Sequence, residues 1–377
     1  MKFDDFSQLT YGTVETNRIQ DLACSFRSVT NTGFPDGSVA VIVNFFTSLF
    51  GGPLSQLLKC LTAIKVCAEL AKAGVAAVPV CWIRPDPPRD FPSRLIYLLD
   101  RRYELHRLEL SETEPQTVCG SSVNTLFNEI EKIFPEGCDE ETLTALRRAF
   151  SPDMDFSSAN AAWIEILLKE WGARVWNDTD VSGEPICLLQ SQTFPVAAVV
   201  VDAHEIPAYA GQFPLILPRC RATIISARLR KTLERYNVDF NRLFAGKTRV
   251  MESLRSVHTV PDRLAELTTD VRDCLNNLEI FDARNARFAK IRKTRGERIV
   301  YQLEKTRRHY LNAVAAWEHT ADARIHKACN AIAPFSSSQE DVIGGIQIPL
   351  RYGQTGLRIL YEKLDIRKFE HQLIEMD

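Results

Sequence analysis

The pattern of apolar and polar positions divides the chain into two textures. The first opens with "VAVIVN" (39–44), an unbroken run of β-branched and small apolar residues that reads as a buried strand. "LFGGP" follows, and Pro53 suits a first helical position, where a missing N–H costs nothing. Leu54, Leu57, Leu58, Leu61, Ile64, Ala68 and Ala71 then recur at helical spacing until Gly74, which reads as the stop. "VAAVPVCWI" (75–83) is the next strand. A strand, helix and strand in close succession form a βαβ unit, with parallel strands and a right-handed crossover.

Beyond it, "RPDPPRDFP" rules out regular structure, and "RLIYLLD" and "YELHRLEL" read as further strand segments. "SSVNTLFNEIEKIF", "DEETLTALRRAF" and "SSANAAWIEILLKEWG" read as capped helices, the last with Ser158 as N-cap and Gly172 as stop. "ARVWND", "FPVAAVVVD" and "QFPLILPRCRATIIS" return to strand character, and Ser226 reads as the cap of "ARLRKTLERY".

The second texture begins near Pro261. Leu264, Leu267, Val271, Leu275 and Leu278 fall at steps of three and four. Ile299, Leu303, Thr306, Tyr310, Ala313 and Trp317 then form a heptad seam with one weak position at Thr306. The pattern predicts an antiparallel coiled-coil hairpin over 261–332 with this seam buried against another helix. It lies between an α/β core over 1–260 and a tail over 333–377 that packs back on the core.

Composition adds limits. The chain has 377 residues, 45% hydrophobic and 25% charged, ordinary for a globular protein with an ample core. Its formal net charge is -2, so no whole-molecule field draws it to nucleic acid or to an anionic membrane. No apolar stretch reaches bilayer-spanning length, and "MKFDDFSQLTYG" has no secretory h-region. The ten cysteines are scattered without a CxxC, and several sit in apolar runs, which points to reduced, buried thiols in a cytoplasmic protein.

Candidate chemistry is sparse. Gly51, Gly52 and Pro53 would set backbone N–H groups and a helix N-terminus at the carboxyl edge of a parallel sheet, where such folds bind anions; a plain tight turn is the alternative. A Cβ at position 52 would then hold a ligand away from the backbone. Lys59 lies on what reads as the polar side of the helix, where a solvated lysine is the plainer reading. Asp86 and Asp90 follow a strand end and could bind a cation or orient an amine, or simply sit in a stiff surface loop. "FAGKT" (244–248) is not a phosphate loop, because Asn241 stands where the motif needs glycine and a helix precedes it. His319, His326 and Cys329 lack the further ligands of a metal site, so no metal is expected. There is no nucleophile elbow. Residues 284–298 hold seven Lys or Arg and one Glu, a stretch that could meet phosphates but is more simply the solvated face of the coiled coil.

With these pieces in order, the chain resembles the BshC family of bacillithiol-biosynthesis cysteine-adding enzymes. Four stretches carry the resemblance: "LFGGPLSQLLKCLTAIKVCAELAKAG…VPVCWI", "MDFSSANAAWIEILLKEWGARVWNDTD", "PLILPRCRATIISARLRKTLERYNVDFNRLFAG", and the coiled coil with "RYGQTGLRILYEKLDIRKFEHQLIEM". The resemblance implies a Rossmann-type parallel-sheet core with inserted connective segments and a C-terminal α-helical coiled coil used in homodimerisation. It implies a ligase that joins cysteine to the amine of glucosaminyl-malate, with ATP a plausible activator of the carboxylate. It carries over residue by residue at Gly52, Pro53, Leu54, Lys59, Trp82, Pro218, Arg219, Thr223, Tyr352, Gly353 and His371. On this reading Gly51 and Gly52 contact the activated carboxylate or phosphate, Lys59 and Thr223 line the nucleotide or substrate site, Trp82 walls the pocket, and Arg219 holds an anion such as malate.

The sequence departs from the family where it matters for chemistry, and the block before "LPR" and the N-terminus are shorter than the family's. Asn44, Phe45 and Phe46 stand where the family has Gly-Gln-Gln. Arg84, Pro85, Asp86, Pro87, Pro88, Arg89 and Asp90 stand where it has an acidic–His–Asp run. The alternative reading is therefore a catalytically weakened relative that acts as a dimeric ligand-binding or scaffold protein.

Overall fold

The computed structural model describes residues 38–84, 88, 91–110, 122–177, 196–209, 215–255, 260–281, 286–367 and 371–376. Asp86, Asp90, Cys24, Cys119 and Cys187 lie outside them. The chain separates into two units, 1–227 with 330–377, and 228–329. The second unit thus starts earlier than the change of texture near Pro261.

The first unit is built on five parallel strands. β1 (Val39–Phe46) is buried along its whole length, as an unalternating apolar run requires. α1 (Leu54–Lys72) starts one residue after Pro53, which serves as its N-cap. Gly74, at φ +81°, ends it with the Val75 N–H bonded back to the Leu70 carbonyl. β2 (Ala77–Arg84) pairs parallel to β1 in the register Val39 to Ala77 through Phe46 to Arg84. β3 (Leu95–Leu99) and β4 (Leu105–Glu109) form a separate antiparallel hairpin.

Three helices follow: α2 (Ser122–Ile133), α3 (Glu140–Ala149) and α4 (Phe156–Leu168). α3 is capped by Asp139, which accepts from the Thr142 N–H at 2.8 Å. α4 is capped by Asp155, not by Ser158: the Asp155 carboxylate accepts from the Ser158 N–H itself. β5 (Arg174–Asn177), β6 (Val196–Val201) and β7 (Ile216–Pro218) complete the sheet in the order β5-β2-β1-β6-β7. The chain therefore steps outward from β1 through β2 to β5, then returns to the other side of β1. That reversal between β1 and β6 is a topological switch point.

β8 (Ala222–Ile225) pairs parallel to β9 (Gln372–Glu375), so the tail belongs to the first unit. α1 lies against β1 and β2 on one side and meets the tail segment on the other. The main core gathers Val41, Val43 and Phe45 with Leu58, Leu61 and Ile64 of α1, Trp163, and Leu350 and Leu357 of the tail. A smaller cluster of Ala40, Ile42, Val80, Trp82, Val199 and Val201 lies on the opposite face of the sheet.

The second unit carries α6 (Ala227–Tyr236), α7 (Lys247–Arg255), α8 (Val260–Phe281) and α9 (Ala286–Ile332), α5 being the short Ile206–Tyr209 turn of the first unit. Residues 240–245 form a 3-10 turn capped by Asp239, and Lys247 of the rejected phosphate motif pairs with Asp322 at 2.8 Å. α9 runs through Gly296 without a break. Arg272 of α8 pairs with Glu304 of α9. The expected seam is only partly covered. Leu303, Tyr310 and Trp317 are half-buried, Trp317 against Tyr236 at 5.7 Å, but Ile299 is 52% exposed. Arg272 and Glu304 set α8 alongside this part of α9, so Ile299 lies on a face that α8 leaves to solvent.

The tail continues with α10 (Gln339–Val342) and α11 (Gln347–Lys363), the latter interrupted at Gly353, φ +59°. Among the described residues no helix is long and apolar enough to cross a membrane.

Candidate functional site

The described cysteines are free thiols, with Cys60 and Cys67 both buried on α1. The chemistry collects instead where β1, β6 and β7 end. The switch point sets Phe46 and Asp202 on neighbouring strand ends, and α1 brings Lys59 to them. Lys59 is 2% exposed, so the solvated reading is corrected: the first turns of α1 are buried all round, and their polar side chains, Ser55, Gln56, Lys59 and Thr62, do not face solvent. Its Nζ lies 2.5 Å from Asp202 Oδ2 and 3.4 Å from Glu205 Oε2, and 5.5 Å from the centroid of the Phe46 ring. A capping box holds both acids: the Asp202 N–H donates to Glu205 Oε2 at 2.8 Å, and the Asp202 side chain accepts from the Glu205 backbone.

Arg219 follows β7, and its N–H donates to the Val201 carbonyl. Its guanidinium is fully engaged. Nε bonds to Asp202, Nη1 lies 3.1 Å from Glu340 Oε1, and Nη2 lies 3.0 Å from Asp341 Oδ1. Glu340 is fully buried and also accepts from Arg221 Nε at 3.0 Å and from the Ala222 N–H at 2.7 Å. Thr223 is buried in β8, with Oγ1 2.6 Å from His371 Nε2. Trp82 is 9% exposed within the smaller apolar cluster.

The electrostatics follow from this pairing. Burial alone would raise the Asp202 carboxyl, yet Lys59 and Arg219 hold it below the ordinary carboxylate range. Burial works against the Arg219 cation, but Glu340, Asp202 and Asp341 raise it further still. Burial pushes Asp341 up despite Arg219, and Glu340 and Asp202 add to the rise. An anionic ligand at Arg219 would have to displace a carboxylate already bonded to it. Through these pairs Arg219 ties the ends of β6 and β7 to the tail.

The glycine turn is placed where expected, with Gly51 at φ +81° and Gly52 at φ +74°. Its amides are not free. Gly51 N–H donates to the Ser48 carbonyl, Gly52 N–H to Leu49, and Leu54 N–H to Ile343 of the tail at 2.7 Å, while Gly345 N–H donates back to the Gly52 carbonyl. The tail thus caps the start of α1, a place that sequence reading assigned to a ligand. A triphosphate has no amide cradle at this turn, so the residues there do not fit ATP. Among the described residues no group of three or more His, Cys, Asp or Glu is arranged to hold a metal ion.

Asp202, Glu205, Glu340 and Asp341 went unrecognised in the sequence. Asp202 had one visible signal, as the acid that ends the apolar run "FPVAAVVVD". The acids of the tail had none, since only the fold brings them to Arg219.

Two comparisons with known proteins agree with this architecture. Residues 222–376 match the family model described as "Bacillithiol biosynthesis BshC, C-terminal coiled-coil domain". Over 444 aligned residues the chain is 23% identical to the protein named "Putative cysteine ligase BshC" of Solibacter usitatus, covering 90% of this chain and 84% of that one. With a parallel five-stranded core, a helical hairpin and both matches in one order along the sequence, the chain is similar to the BshC family, most specifically over its C-terminal coiled-coil region.

Proposed function

We propose that the chain is an amide-forming cysteine ligase of bacillithiol biosynthesis, adding cysteine to the amine of glucosaminyl-malate. The observation that carries this is similarity along nine-tenths of the chain to the protein named "Putative cysteine ligase BshC". The buried charge network at the switch point supports it, because α/β folds of this topology use that crevice for small molecules. In this reading Lys59, Asp202 and Arg219 shape the crevice, Trp82 and Phe46 wall it, Thr223 with His371 backs it, and Gly51 and Gly52 form the turn beneath it. The protein acts in the cytoplasm as a homodimer joined through the hairpin. ATP is the proposed activator of the cysteine carboxylate, and its phosphates would be held away from the glycine turn, whose Gly51, Gly52 and Leu54 amides are bonded to carbonyls.

A second reading, a binding or scaffold protein without turnover, is favoured by one feature. Phe45, in place of a polar family residue, is packed in the core, and Phe46 is 4% exposed. One assay separates the two. The full chain is incubated with cysteine and glucosaminyl-malate, with and without ATP, and the product is read by mass spectrometry. The ligase reading expects the amide, with the mass of both substrates less one water. No product under conditions where the Solibacter relative makes it would leave the scaffold reading.

A further inference from the structure

The cations that sequence reading assigned to ligands are already neutralised. Lys59 meets two carboxylates, and Arg219 meets three. Arg221 is held by Glu340. Arg84 is different. It closes β2 at the carboxyl edge of the sheet, opposite Phe46 in register, and its carbonyl accepts from the Thr47 N–H at 3.0 Å. Its guanidinium carbon lies 5.6 Å from the centroid of Phe46 and 5.7 Å from that of Trp82. Among the described residues no carboxylate pairs with it and no hydrogen bond engages its side chain.

Ring faces hold a guanidinium by its plane and leave the N–H edge open. That edge offers parallel donors spaced for the two oxygens of a carboxylate or a phosphoryl group. The side chain is half-buried, so such a pair forms in a lower dielectric than open water. Phe46 lies within reach of both Lys59 and Arg84, so the charge on the β6 side is neutralised, while on the β2 side no described carboxylate pairs with the cation. The turn amides beside it are spent on carbonyls.

We propose that Arg84 is the oxyanion receptor of this crevice, binding a carboxylate or phosphoryl group of a small-molecule substrate through the edge of its guanidinium. This rests on the reading of the switch-point crevice as a small-molecule site.

Calorimetric titration of the full chain with L-cysteine, L-malate, inorganic pyrophosphate and ATP tests it, on wild type, Arg84→Gln and Arg84→Lys at one ionic strength. At least one probe should bind wild type. Arg84→Gln should weaken that probe about thirtyfold or more, and Arg84→Lys, which keeps the charge but not the fork, about five- to tenfold. Thermal midpoints should fall only slightly, since among the described residues the ring contacts with Phe46 and Trp82 are lost but no ion pair is. Loss confined to cysteine or malate identifies a carboxylate, and loss confined to pyrophosphate or ATP identifies a phosphoryl group. Wild-type affinity in Arg84→Gln overturns the proposal, as does the failure of wild type to bind any of the four. Amide formation is read separately. Arg84-dependent binding without ligation sinks the ligase reading and leaves Arg84 in place; ligation at full rate by Arg84→Gln does the reverse.

Discussion

Lys59 Nζ and Asp202 Oδ2 sit 2.5 Å apart, with the lysine 2% exposed and the aspartate side chain 19% exposed. Two charges withdrawn from water in this way depend on each other. Asp202→Ala leaves Lys59 with the more distant Glu205 and takes one of three acids from Arg219. It should cost about 3–5 kcal/mol, because the penalty is that of a stranded buried charge. Lys59→Met should cost less, since Arg219 still pairs Asp202. The Asp202 carboxyl is lowered in the fold, so its stabilisation is present above the ordinary aspartate value near 3.9 and disappears as pH falls below it. Urea unfolding at neutral pH checks the ranking; a loss under about 1 kcal/mol in Asp202→Ala would show the network to be slack.

Gly52 is required by the backbone whatever binds nearby. At φ +74° and ψ -160° it occupies a conformation that only glycine adopts comfortably, and a Cβ there would collide with the Ser48 hydroxyl. Ser48 is fully buried, with its hydroxyl 3.2 Å from the Phe46 carbonyl, so it cannot retreat. Gly52→Ala should therefore cost about 2–4 kcal/mol, strain and overpacking together. Gly172→Ala is the control. Its φ is +64°, but nothing lies within 4 Å of an added Cβ, so the cost should stay near 1 kcal/mol. Equal denaturation midpoints for the two variants would remove the steric argument.

What could be read in the sequence was local. The run 39–44, the Gly-Gly-Pro punctuation and the Leu stripe of α1 declare a βαβ unit because each depends on neighbours a few residues away. The ionic network joins residues 59, 202, 219 and 340, and no local pattern records that closeness. Lys59 misled because its partners, Asp202 and Glu205, lie far along the chain and reach it only after folding. The tail capping the Leu54 amide through Ile343 was hidden for the same reason.

His371 should give the stability curve a slope at mildly acidic pH. Burial is the main cause that lowers its pKa to about 4, with Arg221 and Arg219 adding to it and Glu340 opposing. The unfolded imidazole titrates near 6.5, so between 6.5 and 4 the unfolded chain binds a proton that the folded chain refuses. Stability must fall as pH falls through that window, by about 2 kcal/mol between pH 7 and pH 5. Gln in place of His can still hydrogen-bond the Thr223 hydroxyl, so His371→Gln should fold and flatten the slope. Urea titrations at the two pH values decide; an unchanged slope in the variant assigns it to another group.

The hairpin presents apolar side chains to solvent that a monomer has no use for. Ile291, Ile299, Tyr301 and Leu311 of α9 are 45%, 52%, 61% and 41% exposed, and Leu267 of α8 is 47% exposed. The heptad spacing that placed Ile299 in a seam is real, but α8 does not cover it. A second copy would supply the missing surface, and the homodimer proposed above needs one. Ile299→Lys with Tyr301→Lys should then convert a dimer to a monomer in sedimentation equilibrium at micromolar concentration. The unfolding free energy of the isolated protomer should change by no more than about 0.5 kcal/mol, because both sites already face water. If wild type sediments as a monomer, or the double variant stays a dimer, the hairpin is not the contact and its exposed residues serve another purpose. If the variant dissociates and retains Arg84-dependent ligand binding, the crevice is complete within one chain. If binding is lost with the dimer, the partner subunit completes the site.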